Sequence, residues 1–254
     1  MTAQRYAAAF LTFTLCLPAP ASAQQGVFTV DANVALTSLV SIVDGHFKNM
    51  ADALETLADT EEARSAQFSA VEAPLKRIAA TQVPAALFFA DRLGNYWTLD
   101  GKQQQSVADR AYFAAAMKGN VSIGTLVTSR STGRPVAIIA VPITATNGTV
   151  VGLLGASIYL DDLSALVRRE TGADANDLFW AIDPTGTIAI HSDPTNIFVV
   201  PGKLSPALKS VEEAMLARDE GTQTYVYRGR KRTVIFRKSE LTGWRYGFGA
   251  VAQP

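Results

Sequence analysis

The chain contains 254 residues, 48% of them hydrophobic and 18% charged, so it can bury a large core as one large domain or two small ones. Lysine plus arginine and aspartate plus glutamate both total 23, which gives a formal net charge of zero. Because no net positive field surrounds such a chain, nucleic acid and anionic membrane surfaces are disfavoured as partners.

Residues 1–23 have the pattern of a signal peptide. Arg5 is their only charged residue, Tyr6 to Leu17 form an apolar run, and Ala21-Ser22-Ala23 matches a small-residue cleavage site. We expect the mature chain to begin near Gln24 and to be periplasmic or secreted. It would then carry no thiol, since Cys16 is the only cysteine. The alternative is an uncleaved anchor, although Pro18 and Pro20 interrupt the apolar stretch and it falls short of the ~20 residues that span a bilayer.

Residues 31–80 are predicted to form a long helical region with Asp31 as its N-cap. The apolar residues recur at steps of three and four, which places them on one helical face. They are Leu36, Leu39, Val43, Phe47, Met50, Leu54 and Leu57. The pattern resumes in phase at Phe68, and Pro74 indicates a break or a new helix start. We expect this stripe to pack on its own chain, but it also fits the seam of a homodimer.

After Thr81 the chain changes to short strand-like runs with turn residues between them. The runs are Ala85 to Ala90, Tyr96 to Leu99, Gly124 to Ser129, Pro135 to Thr144 and Val150 to Tyr159. Asn147-Gly148 joins the last two and predicts a hairpin in which both turn residues have positive φ. A helix is predicted over Asp161 to Glu170, with Gly172 at its end.

The second half of the chain begins like the first. Leu178 to Ile182 leads into the turn Asp183 to Gly186, just as Leu87 to Ala90 leads into Asp91 to Gly94. This repeat of strand, Asp-x-x-Gly turn and strand predicts two related modules, over residues 82–172 and 173–254. The remaining predicted elements are a helix at Ser205 to Ala217 and strands at Thr187 to His191, Thr222 to Tyr227, Arg232 to Arg237 and Trp244 to Ala250.

Four segments of the first module, taken in order, resemble a known family: Ala108 to Phe113, Ser131 to Val136, Val141 to Ile143 and Val151 to Gly155. They are similar to the membrane-distal half of a double Cache domain, the extracytoplasmic sensor region of bacterial chemoreceptors and histidine kinases. Phe179 to Pro194 resembles the start of the membrane-proximal half. The resemblance covers residues 31–252. It implies an α+β fold in which a long N-terminal helix is followed by two PAS-like modules, each with a central antiparallel sheet flanked by helices.

The resemblance also implies a ligand in the distal module, residues 82–172, where Arg110 and Tyr112 are the principal candidates. A guanidinium presents a planar fork of donors that matches a carboxylate, and a phenol adds a third donor. In carboxylate-binding relatives the Arg and Tyr of this motif contact the acid group. Asp109 is expected to orient Arg110 or to cap a helix, and Phe113 to pack in the core. The competing interpretation is that Arg110 pairs with Asp109 or caps a helix, while Tyr112 and Phe113 fill the core.

Further candidates for the wall of the site are Tyr96, Trp97, Ser129, Arg130, Ser131, Thr132 and Ser157. Strand alternation allows only one of Tyr96 and Trp97 to face the ligand, and the sequence leaves both open. Arg130 would supply a second positive charge for a dicarboxylate, or else is a solvated loop residue. Relatives that bind α-amino acids carry an aspartate where Ser157 stands, and a hydroxyl balances a buried ammonium poorly. The expected ligand is therefore a C2 to C5 mono- or dicarboxylate rather than an amino acid.

Enzymatic activity, a cofactor and a metal centre are not expected. The chain has two histidines, His46 and His191, so a catalytic base or a histidine-rich metal site has little material. Asp91 and Asp183 each stand alone in a turn rather than in a calcium-binding cluster. The basic run Arg228 to Arg232 predicts an exposed hairpin tip, and docking of a partner through it is the alternative.

Together these patterns predict a soluble extracytoplasmic sensor of chemotaxis or related signal transduction. It would bind a small carboxylate and signal to a membrane histidine kinase or chemoreceptor. Because the chain stops at Pro254, where a receptor would enter a second membrane span, we expect the signal to pass to another protein. The alternative is a ligand-free structural or interaction module that docks on a membrane partner.

Overall fold

The computed structural model describes residues 31–173 and 177–251, so the predicted signal peptide lies outside the described residues. The helices are α1 (Ala32–Ala58), α2 (Glu61–Arg64), α3 (Phe68–Thr81), α4 (Ala111–Ala116), α5 (Leu160–Thr171) and α6 (Pro206–Ala217). The strands are β1 (Ala85–Asp91), β2 (Asn95–Thr98), β3 (Gly101–Ser106), β4 (Ser122–Thr128), β5 (Pro135–Thr144), β6 (Val150–Tyr159), β7 (Asp177–Ile182), β8 (Ile188–His191), β9 (Glu220–Tyr227), β10 (Arg230–Lys238) and β11 (Arg245–Val251). None of the helices in these two ranges is both long and apolar enough to cross a membrane.

Helix α1 begins where the sequence predicts. Asp31 is its N-cap and accepts a hydrogen bond from the backbone N–H of Asn33 at 2.7 Å. All residues of the predicted apolar stripe are buried, because α1 contacts strands of both sheets along this face. The prediction that Pro74 breaks or starts a helix is wrong, since Pro74 lies inside α3. The helical region is interrupted earlier, after Ala58 and again after Arg64, where Ala66 has a left-handed φ of 54°.

The first sheet has the strand order β3-β2-β1-β6-β5-β4, with every neighbouring pair antiparallel. Both of its faces are covered. Leu87 and Phe89 point to the core around α1, whereas Phe88 and Ala90 point to a second cluster that includes residues of α4. Strand β1 is therefore a continuous apolar run rather than an alternating one.

The second sheet has the order β8-β7-β11-β10-β9 and is also antiparallel. Phe179 and Tyr246 on one face join the core around α1. Trp180 and Phe236 on the other face pack with residues of α6. Two antiparallel sheets that share one long helix confirm the predicted α+β fold class.

The repeated Asp-x-x-Gly turns have the same hydrogen bonds in both halves. Asp91 Oδ1 accepts from the backbone N–H groups two and four residues later, at 2.9 and 3.0 Å. Asp183 Oδ1 accepts from the equivalent groups at 3.0 and 2.9 Å. Gly94 and Gly186 have φ values of 81° and 85°, which a side chain would strain. Both aspartates therefore act as turn formers.

The hairpin predicted at Asn147-Gly148 exists, but its turn differs from the prediction. Only Gly148 has a positive φ, and its N–H donates to the Ala145 carbonyl at 2.9 Å, so the loop is longer than two residues. A two-residue turn with both φ values positive occurs instead at Arg228 (52°) and Gly229 (74°), between β9 and β10.

Candidate ligand-binding site

A cavity beside the first sheet, on the α4 face, has about 330 Å³ of atom-free space, part of it open to solvent. Its lining residues are Phe88, Tyr96, Thr98, Val107, Arg110, Tyr112, Val127, Thr128, Ser129, Arg130, Ser131, Ile138 and Ser157. Seven of the nine residues predicted from the sequence therefore surround one space. The two that do not line it are Trp97 and Thr132.

Strand alternation in β2 explains why Tyr96 lines the cavity and Trp97 does not. Tyr96 lies edge-on to Phe88, with ring centroids 6.0 Å apart. Trp97 points to the opposite face of the sheet, where its ring centroid lies 6.4 Å from that of Phe68 and 5.7 Å from that of Phe89. The placement of Trp97 in the site is thus corrected: it belongs to the core around α1.

The loop between β4 and β5 contributes hydroxyl groups to the cavity. Ser129 Oγ and Ser131 Oγ are 3.2 Å apart, and Ser129 is 7% exposed. Ser129 Oγ also accepts from the backbone N–H of Thr132 at 3.3 Å. Thr132 itself is exposed and lies outside the cavity, so its backbone shapes the loop and its side chain does not line the site.

Arg110 lies at the start of α4 and is half-buried. Its Nη2 donates to the backbone carbonyl of Thr128 in β4 at 3.1 Å. Within residues 31–173 and 177–251, no carboxylate forms an ion pair with Arg110. A positive charge that lines a cavity and has no anionic neighbour bound to it is suited to an anionic ligand.

Asp109 does not orient Arg110, which corrects the expectation from the sequence. Its carboxylate binds Arg130 in a two-point contact, with both N–O distances at 2.7 Å. Arg130 also donates to the backbone carbonyl of Ser106. Asp109 does not cap α4 either, because the N-cap residue is Arg110 and it makes no side-chain capping bond. The charge of Arg130 is therefore already balanced within the chain.

The two tyrosines of the cavity remain neutral hydrogen-bond donors. Tyr112 is 4% exposed, and burial raises the pKa of its hydroxyl to about 12. Burial also raises the pKa of Tyr96, although the charges of Arg130 and Arg110 oppose the rise. At neutral pH both phenols can donate to a carboxylate.

Ser157 of β6 also lines the cavity and is 6% exposed. Thr98, which the sequence reasoning missed, also lines it and is 4% exposed. Its position two residues after Tyr96 on the same strand would have indicated it. No aspartate or glutamate is among the described residues that line this cavity.

The two histidines lie on different elements. His46 Nε2 on α1 lies 3.1 Å from Glu170 on α5, whereas His191 belongs to β8. In the part of the chain that the structure describes, no three His, Cys, Asp or Glu residues are grouped as metal ligands would be.

Two antiparallel sheets on one long helix, with a polar cavity beside the first sheet, have the architecture of an extracytoplasmic sensor domain. The sequence model of the Cache domain (dCache_1) matches residues 23–252. The chain therefore belongs to the Cache domain family. A comparison with curated proteins finds no match.

Solved structures with the same fold come from bacterial receptors and kinases. The extracellular ligand-binding receptor from Desulfohalobium retbaense has a TM-score of 0.69 at 12% identity, and the match covers 86% of this chain but 40% of that one. The extracellular domain of rpHK1S-Z16, a protein assigned as a histidine kinase, has a TM-score of 0.71 at 15% identity, covering 87% and 92%. The ligand-binding domain of the Pseudomonas fluorescens chemoreceptor CtaA, in complex with L-alanine, has 0.65 at 16%, covering 87% and 94%.

Proposed function

We propose that this protein is an extracytoplasmic sensor that binds a small organic carboxylate through Arg110, Tyr112, Tyr96 and Ser157. The observation that carries the proposal is the Arg110 guanidinium, which lines a polar cavity without a carboxylate partner among the described residues. The phenols add neutral donors to the same space. A carboxylate at Arg110 would gain charge-assisted hydrogen bonds, which are the strong ones in proteins.

The charges around the cavity favour a monocarboxylate within the C2 to C5 range. Of the two lining arginines, Arg130 is paired with Asp109, so one positive charge is left to be balanced. A dicarboxylate would have to displace Asp109 from Arg130. The ammonium of an α-amino acid would face Ser157 and Thr98, which are neutral and cannot balance its charge.

Amino acids nevertheless are the competing ligands in the test, because the CtaA domain is described in complex with L-alanine. The signalling partner proposed for this chain is a membrane histidine kinase or chemoreceptor. That proposal is supported by the kinds of protein in which the similar domains occur.

Isothermal titration of the exported protein with acetate, pyruvate, succinate and L-alanine tests the proposal. We expect pyruvate or acetate to bind, and Arg110→Met to weaken that binding at least tenfold, since a lost charge-assisted contact costs ~1.5 to 3 kcal/mol. Tyr112→Phe should weaken it by a smaller factor. Arg92→Met is the matched control, because Arg92 is an exposed arginine of the same module outside the cavity.

Unchanged affinity in Arg110→Met would show that the acid binds elsewhere. Binding of L-alanine alone would overturn the choice of ligand class while leaving the site in place. If no acid or amino acid raises the melting temperature, the ligand-free interaction module is the better description, because a ligand at 100 times its Kd should add ~2.7 kcal/mol.

A further inference from the structure

A second cavity lies in the other half of the protein, between the second sheet and α6. It has about 580 Å³ of atom-free space, part of it open to solvent. Most of its lining is apolar, from Ile182 and Ile188 on the sheet side to Leu208, Val211 and Met215 on α6. A mostly apolar lining with a few polar groups is typical of small-molecule sites.

Arg232 is the one positively charged residue among the described residues that line this cavity. Sequence reasoning placed Arg232 in an exposed hairpin tip, but alternation along β10 turns it to the same face as Val234 and Phe236, where it is half-buried. It is directly opposite Tyr225 on β9, and its guanidinium carbon lies 5.1 Å from the ring centroid of Tyr227. Arg228, Arg230 and Lys231, by contrast, are exposed.

The guanidinium of Arg232 has unused hydrogen-bonding capacity. Its Nε is buried and has no hydrogen-bond partner in the structure. No ion pair with Arg232 occurs among residues 31–173 and 177–251. A buried donor on a charged group is costly to leave unpaired, so an acceptor bound at this guanidinium would be stabilised.

The neighbouring groups favour an anion as that acceptor. His191 lines the same cavity, and its Nδ1 accepts from the backbone N–H of Asp193 at 2.7 Å, which leaves Nε2 as the donor in the neutral ring. Burial lowers the pKa of His191 to about 4, so the ring is neutral at pH 7. Burial raises the pKa of Tyr225, which remains a protonated donor. Glu212 is the carboxylate in the lining, and it is held by the backbone N–H of Gly202 at 2.7 Å.

We propose that this cavity is a second binding site, which takes a short-chain monocarboxylate, its acid group on Arg232 and its chain against the apolar wall. The apolar lining distinguishes it from the Arg110 site, whose walls carry hydroxyl groups. The two sites bind independently of one another in this proposal, so either can fail without the other.

Titration of Arg110→Met, in which the first site is weakened, with propionate, butyrate, pentanoate and hexanoate tests the second site. Each added methylene that enters the apolar cavity should tighten binding by about fourfold. Hexanoate should bind at least tenfold more tightly than hexanamide, which has the same shape without the charge. In Arg232→Met, hexanoate binding should fall at least tenfold.

Lys231→Met is the matched control, because it removes one positive charge from the adjacent residue, whose side chain points to the opposite face. It should leave hexanoate binding unchanged, and so should Arg110→Met. Loss of hexanoate binding in Arg110→Met would instead assign the acid to the first site and overturn the second. Circular dichroism establishes that Arg232→Met is folded.

The comparison of acid and amide needs no change at Arg232, so it decides the matter even if Arg232→Met fails to fold. Equal affinity for hexanoate and hexanamide would overturn the role of Arg232. Affinity that does not depend on chain length, or an absence of hexanoate binding at millimolar concentration, would overturn the cavity as a site.

Discussion

Replacing His191 with asparagine should remove a large part of the acid sensitivity of folding. The His191 ring is stacked on Trp180, with centroids 6.5 Å apart, and asparagine can keep the hydrogen bond from the N–H of Asp193. Burial lowers the pKa of His191 to about 4, the charges of Arg232 and Arg168 lower it further, and Asp193 opposes them. The folded protein therefore holds this ring neutral at pH values where the unfolded chain protonates it.

The size of the effect follows from the difference between the two pKa values. The pKa of His191 falls from 6.5 in the unfolded reference to about 4 in the folded protein. Because the folded state binds fewer protons between these values, the free energy of unfolding decreases as the pH falls below 6.5. Roughly 3 kcal/mol is lost once the pH is below the folded pKa, and about 2 kcal/mol of it by pH 5.

Urea unfolding at pH 7 and pH 5 measures this contribution as a difference between His191→Asn and the wild type. Other titrating groups cancel in that difference. As the pH falls from 7 to 5, the free energy of unfolding of the wild type should decrease by about 2 kcal/mol more than that of His191→Asn. His46→Asn is the control, because His46 is in the surface pair with Glu170. A difference that stays constant between pH 7 and pH 5 would show that His191 is not held neutral by burial.

Two further substitutions test the packing that shapes the first cavity and joins the two halves. Gly155→Ala should destabilise the fold by about 1 to 3 kcal/mol in urea unfolding, because the added methyl would lie 2.2 Å from the Phe88 ring in the cavity wall. Gly45→Ala is its control and should stabilise α1 by roughly 0.5 to 1 kcal/mol, since a methyl there meets nothing within 4 Å. Trp244→Phe should cost about 1 to 3 kcal/mol, because the buried Gly124 carbonyl loses its donor. Stability equal to the wild type in either destabilising variant would contradict the contact behind it.

Elements with a strong local pattern could be predicted from the sequence, and those without one could not. Strands β5 and β6 were predicted with their observed bounds, because each is a long apolar run between turn residues. Strand β3 was missed because Gly101–Ser106 is polar and forms an edge of its sheet. Helix α4 was missed because six residues carry too little periodicity.

The choice of charge partners also lay beyond the sequence. Asp109 is adjacent to Arg110, so their proximity in sequence suggests a pair, but its carboxylate binds Arg130 of the loop between β4 and β5. The inward position of Arg232 could not be predicted either, because a run of basic residues is usually exposed to solvent. In both cases the surroundings of the side chain depend on which strands are neighbours and on which face of the sheet the side chain lies. Neither of these can be read from the residues adjacent in sequence.

Strand β4 explains why the two halves form one structure. Gly124 is the extra residue of a bulge in β4, with φ of 84°, so its carbonyl is not paired within the sheet. Trp244, which precedes β11 in the other half, is fully buried and donates its Nε1–H to that carbonyl at 3.0 Å. The Thr128 carbonyl of the same strand holds Arg110. If ligand binding at Arg110 shifts β4, the hydrogen bond between Trp244 and Gly124 would therefore change as well. Measuring both the free energy of unfolding and the ligand affinity of Trp244→Phe tells whether this hydrogen bond affects only stability or also binding.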